Sequence, residues 1–321
     1  MNVLITSAGR RTSLVKAFAE AVHGRGGLVM AADIDGLAPA LYVADRALRV
    51  PPVRDPGYID ALLEAVTAYK VSVIVPTIDP ELPTLSEHRE RFSEHGCTVL
   101  VSSPCLVRIA NDKWLTFREF SARGFRVPRS WLPGEFEVGE LPAQLFTKPR
   151  DGSASQHAYQ ASPETLEHVL ALVPNPIIQE YVPEMEVTVD ALLDMSGRPI
   201  HYVVRQRIRT VGGESVEGVT LPPETVHEYL VRLLGAIGTL GGIGPITVQL
   251  FLDAHGPVLS EINPRFGGGF PLAWAAGARY PEWILDMVEG KMLEPRLGQY
   301  KVGLYMTRYY AEIIRESPLW H

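Results

Sequence analysis

Cysteine is nearly absent. The 321 residues include two, Cys97 and Cys105, too few for a disulfide framework and without the paired spacing of a zinc site. A reducing cytoplasm is therefore the expected compartment. No stretch approaches the roughly 20 uninterrupted apolar residues of a spanning helix, and Met1 runs straight into the strand-like Val3-Leu4-Ile5-Thr6, so neither a membrane span nor a secretory signal is visible. Basic charge is in short supply as well. With 30 Lys and Arg against 37 Asp and Glu, the net charge is −7, which argues against nucleic acid and acidic membranes as partners, since both favour a basic face. There is no internal repeat and no low-complexity tract. What remains is an ordinary globular composition, 46% hydrophobic and 21% charged, long enough for two or three cores.

Residues 2–105 alternate strand-like and helix-like segments. Val3–Thr6 reads as a strand, Thr12–His23 carries Leu14, Val15, Phe18, Ala19 and Val22 at helical spacing, and Leu28–Ala32 reads as a strand ending at Asp33. Tyr58–Tyr69 is again amphipathic, Val71–Pro76 a buried-type strand, Pro83–His95 helical and Thr98–Val101 a last strand. Such alternation implies a parallel, doubly wound sheet with ligands at the carboxyl ends of its strands. The loop Ser7-Ala8-Gly9-Arg10-Arg11-Thr12 has one glycine where a dinucleotide site would want three, so a nicotinamide site is poorly supported, while anion binding at the helix start stays open. Asp33, Asp35, Asp79 and Glu81 follow strands too. Each is expected to cap a helix or shape a turn before it is expected to meet a ligand.

The alternation stops near Ser102-Ser103-Pro104, which places a boundary around residue 106. A helix is expected through Asn111–Phe120, then the strand Gln144-Leu145-Phe146-Thr147-Lys148-Pro149, followed by Arg150-Asp151-Gly152-Ser153-Ala154-Ser155, a small and flexible loop. Such a loop can fold its N–H groups over phosphates, or it can be a tight turn. A helix over Glu164–Leu172, strands over Pro176–Pro183, Glu186–Asp194 and Val203–Ile208, and a long helix over Glu224–Leu240 follow. Residues 296–321 should give a final strand and a tail packed on the body or on a second copy of the chain, a homodimer.

Late in the chain comes Leu259-Ser260-Glu261-Ile262-Asn263-Pro264-Arg265-Phe266-Gly267-Gly268-Gly269. If Pro257–Ile262 is a strand, Glu261 and Asn263 project to one face while Ile262 points into the core. Ile246–Phe251 is a second β-rich run, joined through Asp253-Ala254-His255-Gly256, and antiparallel pairing would bring Gln249 beside Glu261 and Asn263. Oxygen donors of this kind suit Mg²⁺, which takes one or two carboxylates from protein and the rest from phosphate and water. Arg265 lies beyond them to clamp a phosphate, and the glycine triplet would let backbone approach a ligand closely. The alternative is a polar strand end and a glycine-rich loop.

Taken in order, Lys113, Lys148, the 151–155 loop, Gln179-Glu180-Tyr181-Val182, Glu186, Arg205, Arg207, Gln249, Glu261, Asn263 and Arg265 resemble the ATP-grasp superfamily. The likeness is closest to its carbamoyl-phosphate-synthetase-like, carboxylate–amine ligase members and covers nearly the whole chain. It implies an α/β and α+β fold: a Rossmann-like domain over 1–106, a small lobe with the phosphate-covering loop over 107–184, and a large lobe with the metal site over 185–321. It also implies roles. Lys113 and Lys148 would contact the α- and β-phosphates, Gly152, Ser153 and Ser155 would cover the β- and γ-phosphates, and Gln179, Glu180, Tyr181 and Val182 would form the hinge at the adenine edge. Glu186 would take the ribose hydroxyls. Gln249, Glu261 and Asn263 would hold Mg²⁺, with Mn²⁺ as a substitute, and Arg265 would face the transferring phosphate. Gln249 departs from many relatives, which carry an acid there; the carbamoyl-phosphate-synthetase-like branch accepts glutamine.

The implied activity is an ATP- and Mg²⁺-dependent ligase with a small-molecule carboxylate and an amine as substrates. Phosphorylating the carboxylate makes an acyl phosphate that the amine attacks, so the protein mainly positions and neutralises charge and needs no nucleophilic side chain. A carbamoyl- or acyl-phosphate-forming enzyme and a non-catalytic ATP-binding subunit are the alternatives. Arg205 and Arg207, on one face of a strand, are candidates for the acceptor carboxylate, against a salt-bridged surface reading for Arg207.

Overall fold

A computed structural model describes residues 1–152, 157–211 and 214–317. The N-terminal part winds β1 (Asn2–Ile5), α1 (Thr12–His23), β2 (Val29–Asp33), β3 (Arg46–Arg49), α2 (Tyr58–Tyr69), β4 (Val71–Val75), α3 (Leu82–Ser93) and β5 (Thr98–Val99) into one sheet. Its strand order is β3-β2-β1-β4-β5 and every pairing is parallel. The alternation of buried strand and amphipathic helix therefore folds as its periodicity implies. β3 was not anticipated: Arg46-Ala47-Leu48-Arg49 is an exposed edge strand with little apolar content to mark it.

Two short helices follow, α4 (Pro104–Asn111) and α5 (Lys113–Ala122). The expected helix through 111–120 is thus interrupted. Asp112 takes extended φ −118°, ψ 109°, and its carboxylate accepts from the Trp114 and Leu115 amides as the N-cap of α5. α4 also runs across residue 106, where the end of the strand–helix alternation suggests a boundary. The small lobe contains β6 (Ser130–Trp131), β7 (Leu145–Pro149), β8 (Tyr159–Ala161), α6 (Leu166–Leu170) and β9 (Pro176–Glu180), with sheet order β6-β9-β7-β8.

The large lobe contains β10 (Met185–Leu193), β11 (Pro199–Val211), β12 (Glu214–Thr220), α7 (His227–Thr239), β13 (Gly244–Asp253), β14 (Gly256–Asn263), α8 (Phe270–Ala275), α9 (Tyr280–Val288) and β15 (Tyr305–Thr307). Its sheet runs β14-β13-β10-β11-β12-β15, antiparallel throughout. Alternation gives it two chemically different faces. Val187, Val189, Ala191, Val204, Ile246, Val248, Leu250 and Ile262 pack on α4 and α7 in one apolar cluster. The opposite face carries Glu186, Thr188, Asp190, Arg205, Arg207, Thr247, Gln249, Glu261 and Asn263. A second cluster joins the N-terminal sheet to the large lobe, with Phe18 of α1 edge-on to Phe266 at 5.9 Å.

Candidate active site

The site starts from the β13–β14 hairpin. Its register sets Gln249 opposite Glu261 and Thr247 opposite Asn263, with a bulge after Gln249. Ile262 is 1% exposed on the core side, so alternation turns Glu261 and Asn263 to the polar face. With its amide oriented to satisfy both neighbours, Gln249 donates to Glu186 Oε1 at 3.0 Å and to Glu261 Oε2 at 3.2 Å. To ligate a cation Gln249 must turn its oxygen inward, so in this state it bridges two carboxylates instead. Among the described residues no three His, Cys, Asp or Glu side chains form a metal cluster. The donor set is one carboxylate and two amides, which fits Mg²⁺, an ion that keeps most of its shell for phosphate and water.

Across the cleft stand the lysines. Lys113, at the start of α5, donates Nζ to Gly152 O at 2.9 Å and lies 3.8 Å from Glu261 Oε1. The small lobe's loop is pinned there twice more: Lys113 N donates to Arg150 O at 3.0 Å, and Arg150 Nε donates to Asp112 Oδ1 at 3.1 Å. Lys148, near the end of β7, has its ammonium lowered to about 8. Burial is the chief cause and the Lys113 charge adds to it, while Glu261 and Glu186 oppose. Ser153 and Ser155 lie outside the described residues.

The hinge segment is already bonded within its own lobe. Glu180 N donates to Arg129 O at 2.9 Å and Tyr181 N to Gln144 O at 3.1 Å, Gln179 Nε2 donates to Ser130 Oγ at 2.9 Å, and the Glu180 carboxylate takes Arg129 Nε at 2.8 Å. Glu186 pairs with Arg207 at 2.7 Å. Arg205 pairs with Asp190 at 2.7 Å, both side chains 3% exposed. A Cβ on Gly269 would come within 2.3 Å of the Arg205 guanidinium, and one on Gly267 within 2.8 Å of Asp190 Oδ1. The glycine turn thus seats directly on this buried pair, and Arg205 lies beneath the turn rather than on the cleft wall. The glycines are needed there for close approach, neither having positive φ.

Arg265 bonds Asp79 Oδ2 at 2.6 Å, Phe266 O at 3.1 Å and Asn263 Oδ1 at 3.3 Å. Asp79 therefore pairs across to the large lobe. Glu81 and Asp33 instead shape turns: Glu81 accepts from Thr77 N at 2.8 Å and Tyr58 OH at 2.8 Å, and Asp33 accepts from Gly9 N at 2.7 Å and Asp35 N at 2.9 Å. In the Ser7–Thr12 loop, Ala8 N, Gly9 N, Arg11 N and Thr12 N are bonded within the protein. Arg11 escaped the sequence reading; it donates to Phe266 O at 3.3 Å and Thr77 O at 3.2 Å. Its only sequence signal is its place in that loop.

A two-lobed cleft with paired lysines facing an acid–amide set on an antiparallel sheet, behind a parallel N-terminal sheet, defines an ATP-grasp protein. The chain belongs to the ATP-grasp superfamily: residues 110–269 match the ATP-grasp domain family and residues 3–100 the PylC-like N-terminal domain family. No curated protein matches it by sequence. Among solved structures it is similar to the biotin carboxylase domain of Hydrogenobacter thermophilus 2-oxoglutarate carboxylase, a dimer in complex with MgADP, ADP and bicarbonate. That likeness has TM-score 0.76 at 16% identity and covers 95% of this chain and 73% of the other. The Bacillus licheniformis L-amino acid ligase follows at TM-score 0.70, 17% identity, 90% and 74% coverage. The ADP complex of Staphylococcus aureus N5-carboxyaminoimidazole synthetase gives TM-score 0.73, 15% identity, 94% and 79% coverage. At these identities the likeness is one of fold.

Proposed function

We propose that the protein is an ATP- and Mg²⁺-dependent carboxylate–amine ligase. The observation that carries this reading is the placement of Lys113 and Lys148 across one cleft from Glu261, which sits in register with Gln249 and two residues along the strand from Asn263. Lysines on one wall neutralise phosphate oxygens, and Lys113 also holds the carbonyl of Gly152. Bound Mg²⁺ would neutralise charge on the phosphates that Glu261, Gln249 and Asn263 face. Arg265, beside Asn263, would bring its positive charge to the transferring phosphate. Small and large lobes keep water from an acyl phosphate until an amine attacks it. At the hinge, the amides of Glu180 and Tyr181 are bonded elsewhere, and that of Val182, with no partner among the described residues, would serve the adenine edge. Arg207, tied to Glu186, is the remaining arginine of β11 on the cleft side for an acceptor carboxylate.

A panel of amino acids and small carboxylates, each with candidate amines, tests the reading by phosphate release and mass detection of product. ADP release that requires both substrates supports ligation. Release with a carboxylate alone indicates an acyl-phosphate-forming enzyme, and nucleotide binding without turnover under any pair indicates a non-catalytic subunit.

A further inference from the structure

The strand that carries Glu261 and Asn263 ends in a segment held from outside its own lobe. Arg11, just before α1, reaches Phe266 O with one nitrogen and Thr77 O with another, so it ties the large lobe's turn to the loop after β4. Asp79 lies in a single 3-10 turn in that same loop and takes Arg265 Nη2 at 2.6 Å. Both side chains are well covered, at 13% exposure for Arg265 and 15% for Asp79. The turn bearing Asp79 is itself fixed, because Glu81 two residues on is fully buried and accepts from the Thr77 and Ile78 amides, the Tyr58 hydroxyl and the Ser7 hydroxyl. Behind it, Phe18 packs on Phe266 in the core shared by the two parts.

An arginine side chain has many rotamers, and a fork aimed before its ligand arrives spares binding that ordering step. With Nη2 on Asp79 and Asn263 and Nη1 on Phe266 O, the nitrogen left over is Nε. Arg265 Nε is buried and without a partner among the described residues.

We propose that Asp79 is a positioning residue that aims Arg265 at the γ-phosphoryl group, which makes the N-terminal sheet part of the phosphoryl-transfer machinery. This rests on the nucleotide site described above. Asp79 orients a guanidinium and touches neither nucleotide nor metal. The pairing also links the metal strand to the N-terminal sheet, since the Arg265 nitrogen that meets Asp79 also meets Asn263 Oδ1.

Comparing ADP with a non-hydrolysable ATP analogue, both with Mg²⁺, isolates the γ-phosphoryl contribution by calorimetry and needs no acceptor substrate. In Asp79→Asn the ADP affinity is expected to stay within about twofold, while analogue affinity falls about five- to tenfold, the scale of one charge-assisted contact. Asp79→Glu is expected to restore part of the loss, and in an Arg265→Gln background Asp79→Asn should change the ratio no further. An unchanged ratio, a rise in analogue affinity showing that Asp79 masks Arg265, or an additive loss in the double variant would overturn the proposal. Should Asp79→Asn fold poorly, Asp79→Glu alone decides, because it keeps the charge and shifts it by one methylene: an unaltered ratio counts against positioning. A wild-type protein that binds neither nucleotide removes the nucleotide site and this proposal together. One that prefers the analogue equally with and without Asp79 removes only the positioning role.

Discussion

Raising the pH from 7 to 9 should weaken nucleotide binding about tenfold through Lys148 alone. Its ammonium is lowered from the ordinary 10.5 to about 8, first by burial and then by Lys113, against the pull of Glu261 and Glu186. At pH 7 about nine in ten molecules carry this charge, and at pH 9 about one in eleven. A phosphate brought alongside returns the ammonium towards its ordinary range, so the complex stays protonated while the free protein does not. Each binding event above pH 8 then takes up a proton, and apparent affinity falls as pH rises through 8, by about 1.4 kcal/mol at pH 9. The free protein shows the opposite trend in stability. A lysine whose folded value lies below its unfolded one opposes folding fully below about 8, and that penalty is relieved as pH rises towards 10.5. Calorimetric titration with MgADP at pH 7, 8 and 9, in buffers of different ionisation enthalpy, reads both affinity and proton count. Lys148→Arg, which keeps its charge throughout, should flatten the curve. Equal affinity at pH 7 and 9, or proton release on binding, would refute the argument.

Lys113→Met removes the like charge that depresses Lys148, so the midpoint of this pH dependence should move upward, read by the same titration. Glu261→Gln keeps the shape but deletes the carboxylate of the proposed metal set; Mg²⁺ should lose at least about tenfold of its effect on ADP affinity, while Mg²⁺-free binding changes little. Gly269→Ala would drive a methyl into the buried Arg205 guanidinium, 2.3 Å from its central carbon. Parting Arg205 from Asp190 should destabilise by about 3 kcal/mol or more, visible as a lower melting temperature by scanning calorimetry.

How much of this was legible in the sequence depends on the range of the interaction that decides it. The hairpin was readable because turn residues and a period of two are local: Asp253-Ala254-His255-Gly256 and the alternation of Glu261, Ile262 and Asn263 lead to the observed register of Gln249 on Glu261. Helices α1 and α2 begin and end where their apolar spacing does. The break at Asp112 carried a signal too, an aspartate poised as an N-cap, but the apolar pattern ran across it. The partners of the arginines were out of reach. Alternation places Arg205 and Arg207 on one face without saying that Asp190 and the glycine turn cover the first and that Glu186 meets the second. Arg265 and Asp79 are separated by 186 positions, and only the packing of the N-terminal sheet on the large lobe brings them together.

A sheet face that buries this many charges is tolerable only if each finds a counter-charge or hydrogen bonds, since an unpaired buried ion is far costlier than a paired one. Among the described residues, Asp190 meets Arg205, Glu186 meets Arg207 and Asp79 meets Arg265 at close range. Glu261 has a different environment. Its ionic partner among the described residues is Lys113 at 3.8 Å, beyond hydrogen-bond range, and its near neighbour is the uncharged amide of Gln249. It is therefore the cleft carboxylate with most to gain from a divalent cation. The lysine that partly neutralises it stands on the opposite wall, where it can turn to phosphate once the cation arrives.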